Sequence, residues 1–126
     1  MLKSCSFDIQ QLLDAGRLSI HGNHKWGYEV WCYNGDQCLK IMVVDKPAKS
    51  SLMYHPEKVE TFVMLQGRLL FEHEETEKTL YPGDVVTIYP GETHRFQWAG
   101  ENVVFLEVSS HHEDDDVVKL EESGWL

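Results

Sequence analysis

Two residue types that bind metal ions lie close together in the middle of the chain. The stretch S51-L-M-Y-H-P-E-K-V-E-T-F62 places His55 and Glu60 five residues apart among residues that favour strands. A third candidate, His94, follows a turn that contains glycine and begins a later strand-like segment. Imidazole nitrogen and carboxylate oxygen together suit Mn(II), Fe(II), Zn(II), Ni(II) or Co(II). We therefore predict that His55, Glu60 and His94 bind one divalent transition metal ion.

The strands that carry these residues must turn them towards one another. Alternate residues of an extended strand face the same side, so Met53 and His55 share one face, and Glu60, Phe62 and Met64 share another. If the two strands are adjacent and antiparallel across 56–59, both His55 and Glu60 can point into the interior of a barrel.

The rest of the chain favours an all-β fold. Short apolar segments with a period of two recur at intervals of roughly eight to twelve residues, separated by turns that contain glycine or proline. The segment from Ser6 to Gly16 is instead helical in its spacing, with Ser6 or Asp8 as the N-cap and Gly16 just after the helix. The predicted strands are 26–33, 38–44, 59–65, 68–73, 79–81, 84–89, 94–98 and 103–108. We predict an antiparallel sandwich or barrel with one short N-terminal helix.

Composition narrows the class of protein. With 126 residues we expect a single domain over residues 1–126. The formal net charge of −10 disfavours nucleic acid and anionic lipid as partners. No apolar run is long enough to span a membrane, and the first residues do not form the apolar run of a secretory signal. The three cysteines, Cys5, Cys32 and Cys38, form no metal-binding or disulfide pattern, so we expect free thiols and a cytoplasmic protein.

Two short motifs resemble those of the cupin superfamily. His55, Glu60 and Gly67 match the first cupin motif, and P82-G-D-V-V-T-I-Y-P-G-E-T-H94 matches the second through Gly83, Gly91 and His94. Tyr89 and Trp98 stand where the second motif usually has proline and asparagine. The resemblance implies the cupin double-stranded β-helix, a jelly-roll barrel with a metal site inside.

A narrower resemblance extends over more of the chain. The segments W26-G-Y-E29, S50–G67, H94-R-F96 and F105–E122 are similar to the cupin sugar isomerases, including the C-terminal domain of mannose-6-phosphate isomerase and the D-lyxose isomerase-like proteins. This resemblance implies a divalent metal and a sugar or sugar-phosphate ligand. It also implies that the acidic tail from Glu113 packs as an edge strand. His111 and His112 we interpret as a solvated connection.

Met53 marks a departure from those relatives. They have histidine or glutamine at this position, whereas a neutral thioether is a poor ligand for a divalent first-row ion. We expect Met53 to point into the same pocket as His55, Glu60 and His94 without binding the ion. Three protein ligands still suffice for a catalytic metal.

Three functions remain open from the sequence. In a sugar or sugar-phosphate isomerase, Glu72 or Glu29 is the candidate base, and the residues that could steer a phosphate are Lys40, Lys58, Arg68 and Arg95. Two histidines and one carboxylate also suit an Fe(II)-dependent dioxygenase. The third possibility is a non-catalytic sugar-binding cupin with a degenerate metal site. We expect a homodimer formed through exposed N-terminal strands such as 26–33.

Overall fold

A computed structural model describes residues 8–16 and 18–126, within which the chain forms one helix and thirteen strands. The helix α1 spans Ile9–Asp14. The strands are β1 (Ser19–Asn23), β2 (Gly27–Asn34), β3 (Gln37–Val44), β4 (Ala48–Lys49), β5 (Leu52–Tyr54), β6 (Glu60–Gln66), β7 (Leu69–His73), β8 (Thr76–Leu80), β9 (Val85–Ile88), β10 (His94–Trp98), β11 (Val103–Ser110), β12 (Val118–Glu121) and β13 (Gly124–Trp125). The all-β prediction is confirmed.

The strands form two antiparallel sheets. The first has the order β1-β2-β3-β11-β6-β9. In the second, β10 pairs with β7 on one side and with β4 and β5 on the other, while β8 pairs with β7, β12 with β5, and β13 with β4. The strand β2, predicted to be an exposed edge, instead lies between β1 and β3, so among the strands of the described residues β1 is the edge.

The helix α1 packs outside the first sheet. Asp8 is the N-cap, since its carboxylate accepts a hydrogen bond from the backbone N–H of Gln10, and Gly16 follows the helix with a positive φ. Ser6 and Cys5 lie outside the described residues. The apolar face of the helix covers the outer side chains of β2 and β3, which include Ile41 and Val43. The predicted short helix is therefore confirmed.

Four phenylalanines pack together in the core between the sheets. Phe62 of β6 lies 4.8 Å from Phe105 and 5.8 Å from Phe71 between ring centroids, and Phe96 packs against Phe105. All four rings are buried. Because Phe62 follows Glu60 on the same face of β6, this aromatic core lies next to the polar residues of the site.

The turn between β6 and β7 requires glycine. Gly67 has a φ of 76°, and a Cβ atom there would lie 2.2 Å from the carbonyl oxygen of Asn102. Only glycine fits this close approach in a left-handed conformation. The turn keeps β6 in register with β11, and therefore holds Glu60 at its inward position.

The acidic tail takes a defined place, although not all of it is a strand. The segment from Glu113 to Asp116 forms a turn, and β12 follows as an edge strand beside β5. Both carboxylate oxygens of Asp116 accept hydrogen bonds, from the backbone N–H groups of Glu57 and Lys58. The turn is thus fixed to the loop that connects His55 to Glu60.

Candidate metal site

The three predicted ligands meet inside the barrel, but from different sheets. His55 follows β5, and His94 begins the neighbouring strand β10, whereas Glu60 begins β6 in the opposite sheet. The strands before and after 56–59 are therefore not paired with each other, although both side chains point into the barrel. The residues face one another across the barrel, with Glu60 Oε1 2.8 Å from His94 Nε2 and 3.4 Å from His55 Nε2.

Both histidines are oriented by backbone carbonyls. His55 Nδ1 donates to the carbonyl oxygen of Asp116 at 2.7 Å, and His94 Nδ1 donates to that of Glu92 at 3.1 Å. Because a carbonyl oxygen can only accept, each Nδ1 carries a hydrogen, and Nε2 is the nitrogen of each ring that can bind an ion in the site. This arrangement is typical of histidines that bind metal ions.

The acceptor atoms that converge here fit a cation. The two Nε2 atoms and a Glu60 oxygen lie within 4.8 Å of one another, so small side-chain movements would bring all three to bonds of about 2.1 Å with one ion. Glu60 Oε1 is buried and has no hydrogen-bond partner, because neither histidine contact has the geometry of a hydrogen bond. A buried carboxylate oxygen in this position costs free energy that a bound cation would recover. The residues present therefore fit a divalent metal.

The pKa values of Glu60 and His94 reflect the attraction between the carboxylate and the neighbouring basic groups. Burial alone would raise the pKa of Glu60, but His55, His94 and Lys58 hold that pKa well below its usual range. Burial alone would lower the pKa of His94, whereas the adjacent Glu60 carboxylate raises it.

A chain of alternating charges continues from the three ligands. Lys58 Nζ lies 3.4 Å from Glu60 and 3.5 Å from Glu107, and Lys40 Nζ lies 3.6 Å from Glu107 and 3.3 Å from Glu29. Both lysines are buried. Such groups are stable inside a protein only when they are paired. The chain of ion pairs thus fixes the charged walls of the site.

The carboxylates of this chain differ in their protonation. Burial raises the pKa of Glu107, and the negative charge of Glu60 adds to that effect. Burial would likewise raise the pKa of Glu29, but the hydrogen bond from His24 and the charge of Lys40 lower it to about 2. Glu29 is therefore an ionised partner for Lys40 and a weak proton acceptor near neutral pH.

His112 joins the two buried lysines, which corrects its interpretation as part of a solvated connection. Its Nδ1 lies 3.2 Å from Lys40 Nζ and 3.3 Å from Lys58 Nζ, and its Nε2 lies 2.9 Å from Asp114. Burial and the two ammonium groups lower the pKa of His112, so the neutral ring accepts from the lysines. The sequence interpretation treats His111 and His112 as neighbours on a strand that face opposite sides. His112 instead lies in the irregular segment after β11, and its ring lines the cavity.

These residues surround a cavity of about 330 Å³ between the sheets. Of the sequence-predicted residues, the cavity is lined by His55, Glu60, His94, Met53, Glu29, Lys40 and Lys58. Met53 thus shares the pocket, as its spacing from His55 predicts. The size of the cavity and its mixture of apolar walls with many polar groups suit a small polar molecule.

Three other predicted residues lie elsewhere. Glu72 alternates with the buried Phe71 on β7, so it faces away from the core and does not line the cavity. Arg68 is exposed and donates to the carbonyl oxygen of Ala99. Arg95 is buried but binds the carbonyl oxygen of Ser50 and contacts Glu121. The structure therefore brings none of the three to the site.

Glu107 is the main residue that the sequence reasoning missed. It lies on β11 in the same alternating phase as Val103 and Phe105, both of which are buried. A carboxylate at an inward position of an apolar strand indicates a paired or functional group. That phase was available in the sequence and would have identified Glu107.

Two facing antiparallel sheets that enclose a His-Glu-His cluster define a small cupin-type barrel. The family described as Cupin domain matches residues 40–109, more than half of the chain. The chain belongs to the cupin family. No curated protein matches it.

Solved structures agree with this assignment. KdgF from Halomonas sp. is 16% identical with a TM-score of 0.70, over 77% of this chain and 89% of that one. An uncharacterized conserved protein with a double-stranded β-helix domain from Klebsiella pneumoniae is 15% identical with a TM-score of 0.71, over 95% and 100%. Oxalate decarboxylase from Bacillus subtilis is 17% identical with a TM-score of 0.72, but the match covers only 30% of that chain and 83% of this one. At these identities the likeness shows the fold alone.

In the part of the chain that the structure describes, no helix is long and apolar enough to cross a membrane.

Proposed function

We propose that the protein is a metal-dependent cupin that interconverts the aldose and ketose forms of a small sugar or sugar phosphate. The observation that carries the proposal is Glu107, a buried carboxylate beside the ligand cluster that is not needed to hold the ion. An isomerase needs such a group to move a proton between neighbouring carbons. Glu107 replaces Glu72 and Glu29 as the proposed base.

His55, Glu60 and His94 would hold the ion, which would polarise the carbonyl and hydroxyl oxygens of the sugar. Glu107 takes the proton from C2 and returns it to C1, while the hydroxyl proton passes from the oxygen on C2 to that on C1. Lys58, which contacts both Glu107 and Glu60, keeps a positive charge beside Glu107 while that carboxylate takes up and returns the proton. No atoms are gained or lost in this interconversion.

The character of the cavity supports a polyhydroxylated ligand. Hydroxyl, ammonium and carboxylate groups line it together with the indole of Trp26, and these include Ser50, Ser51 and Lys40. Many fixed donors and acceptors beside an aromatic face suit a sugar better than an apolar substrate.

Isomerisation can be tested by incubating the Mn(II)-loaded protein anaerobically with aldoses, ketoses and their phosphates in D2O. We expect deuterium to appear at C1 or C2 by NMR. The Glu107→Gln variant should lose activity by about 100-fold or more, the usual contribution of a general base, while keeping its Mn(II) affinity. Turnover that is unchanged in Glu107→Gln would contradict the assigned base, and no exchange with any of these sugars would contradict isomerisation.

A second function is favoured by the ligand set itself, because two histidines and one carboxylate also suit Fe(II) and dioxygen. Oxygen consumption by the Fe(II)-loaded protein in the presence of a small-molecule substrate would support the dioxygenase. Purified protein that binds no divalent metal would instead support a non-catalytic sugar-binding cupin.

We further propose a cytoplasmic location, because Cys32 and Cys38 are free thiols.

Replacing Met53 with histidine is expected to tighten metal binding about tenfold or more. Met53 lies directly opposite His94 and lines the cavity, so a nitrogen ligand there could complete the cluster. Titration calorimetry with Mn(II), Zn(II) and Ni(II) measures the change. The control Met53→Leu should bind like the unmodified protein. Equal affinities for Met53→His and Met53→Leu would show that position 53 is not the missing-ligand position.

We also propose a homodimer, formed through the edge strand β1. Every residue of β1 is exposed, and the apolar side chain of Ile20 is 54% accessible to solvent. An edge strand of this kind pairs readily with another chain. Sedimentation at micromolar concentration should give a dimer, and Ile20→Lys should give a monomer. A monomeric unmodified protein would remove this part of the proposal.

A further inference from the structure

Three strands of the second sheet place a row of side chains across the cavity wall. Lys119 of β12 pairs directly with Met53 of β5, and Met53 pairs directly with His94 of β10. Directly paired residues project on the same face of a sheet, and all three side chains line the cavity. The row therefore leads from a metal ligand, past an apolar spacer, to an ammonium group.

The two buried lysines are poor candidates for binding an anionic ligand. Lys40 is held by Glu29 and Glu107, and Lys58 by Glu60 and Glu107. An anion that bound either lysine would have to displace carboxylates from a buried ion pair, which is strongly unfavourable. These two residues fix the charged wall and leave anion recognition to another group.

Lys119 is differently placed. It is exposed at the cavity edge, and among residues 8–16 and 18–126 no carboxylate lies within ion-pair distance of its ammonium group. The nearby acidic side chains of Glu121 and Asp114 contact Arg95 and His112 instead. Lys119 therefore keeps its donors free for a ligand.

The balance of charge around the cavity also favours an anion. Three lysines line the cavity, and a divalent ion on the His-Glu-His cluster would add two further positive charges. The carboxylates that line it are Glu29, Glu60, Glu107 and Asp114. With the ion bound, at least one positive charge is in excess, which a ligand with one negative charge would neutralise.

We propose that Lys119 binds an anionic group, a carboxylate or a phosphate, at the end of the substrate remote from the metal cluster. This inference rests on the proposed function, since it assumes that the sugar oxygens lie at the cluster. Two strand spacings separate the backbones of Lys119 and His94 by roughly 10 Å. An extended lysine and a five- or six-carbon sugar bridge that span. The preferred substrates are thus sugar acids or sugar phosphates.

The test compares mannose, mannuronate and mannose 6-phosphate, which differ only at the sixth carbon. Each is titrated calorimetrically into the Mn(II)-loaded protein, its Lys119→Gln variant and the control Lys78→Gln, whose lysine is exposed on β8 outside the cavity. We expect at least one anionic sugar to bind roughly tenfold more tightly than mannose, the range of a hydrogen bond to a charged group. Lys119→Gln should remove that preference and leave the affinities for mannose and Mn(II) unchanged.

The pattern of affinities identifies the anionic group and separates this inference from the isomerase proposal. Preference for mannuronate indicates a carboxylate, and preference for mannose 6-phosphate indicates a phosphate. The inference is overturned if neither anionic sugar binds more tightly than mannose, or if Lys119→Gln weakens all three sugars equally. A Lys119-dependent preference without deuterium exchange would uphold the inference and contradict isomerisation. Deuterium exchange into mannose without any preference for an anionic sugar would support isomerisation and contradict the inference.

Discussion

Replacing His94 with alanine is expected to weaken Mn(II) and Zn(II) binding by about 100-fold or more. Loss of a group that only orients a ligand typically costs 10–100-fold, and His94 is itself a proposed ligand. The same result is expected for His55→Ala, because its Nε2 lies 3.4 Å from the same carboxylate oxygen. Titration calorimetry at constant pH measures the affinities.

The matched control is His73→Ala. His73 lies directly opposite His94 on the neighbouring strand β7, but it is half-buried, contacts Glu92 and does not line the cavity. Its removal should leave the affinity close to that of the unmodified protein. Similar losses in His73→Ala and His94→Ala would mean that the metal binds elsewhere or that the barrel itself has changed.

Replacing Lys58 with methionine is expected to lower the free energy of unfolding by about 3–5 kcal/mol. Its ammonium group is buried between Glu60 and Glu107, and removing one partner of a buried ion pair leaves uncompensated charge. Urea unfolding in the presence of a chelator measures the change without a contribution from bound metal.

Two further variants distinguish the electrostatic cause from a packing defect. In Lys58→Met, the carboxylates of Glu60 and Glu107 both lose the ammonium group that pairs with them. The double variant Lys58→Met with Glu107→Gln removes one of these two charges, so it should recover part of the lost stability. Lys78→Met, on the exposed face of β8, should change stability by less than about 0.5 kcal/mol. A Lys58→Met variant as stable as Lys78→Met would show that the buried ion pairs contribute little.

The sequence contains enough local information to predict most of the fold. Period-two alternation identified β2, β3, β6, β7, β9, β10 and β11 within a few residues, because one face of each strand is buried between the sheets. It missed β1, whose residues are all exposed, and the two-residue strands β4 and β13. An exposed or very short strand carries no burial pattern, so only its partner strand defines it.

The candidate site, like the fold, could be predicted only in part from the sequence. Residue type and motif spacing identified His55, Glu60 and His94, and alternation placed Met53 on the face of His55. Motif spacing does not identify Glu107, but its position in the alternation of inward and outward residues along β11 does. Positive charge and nearness in sequence make Arg68 and Arg95 candidates for binding a phosphate, but neither property indicates which side of a strand a residue occupies.

The amino-acid sequence by itself determined most of the strands, the turn glycines and the three residues that can bind a metal, because these depend on local backbone conformation and residue chemistry. Only the tertiary structure decided that His55 and Glu60 meet from opposite sheets, and that His112 bridges Lys40 and Lys58. These contacts join residues up to 72 positions apart. They depend on how two sheets stack and where a loop crosses them, and no periodicity within a single segment encodes that.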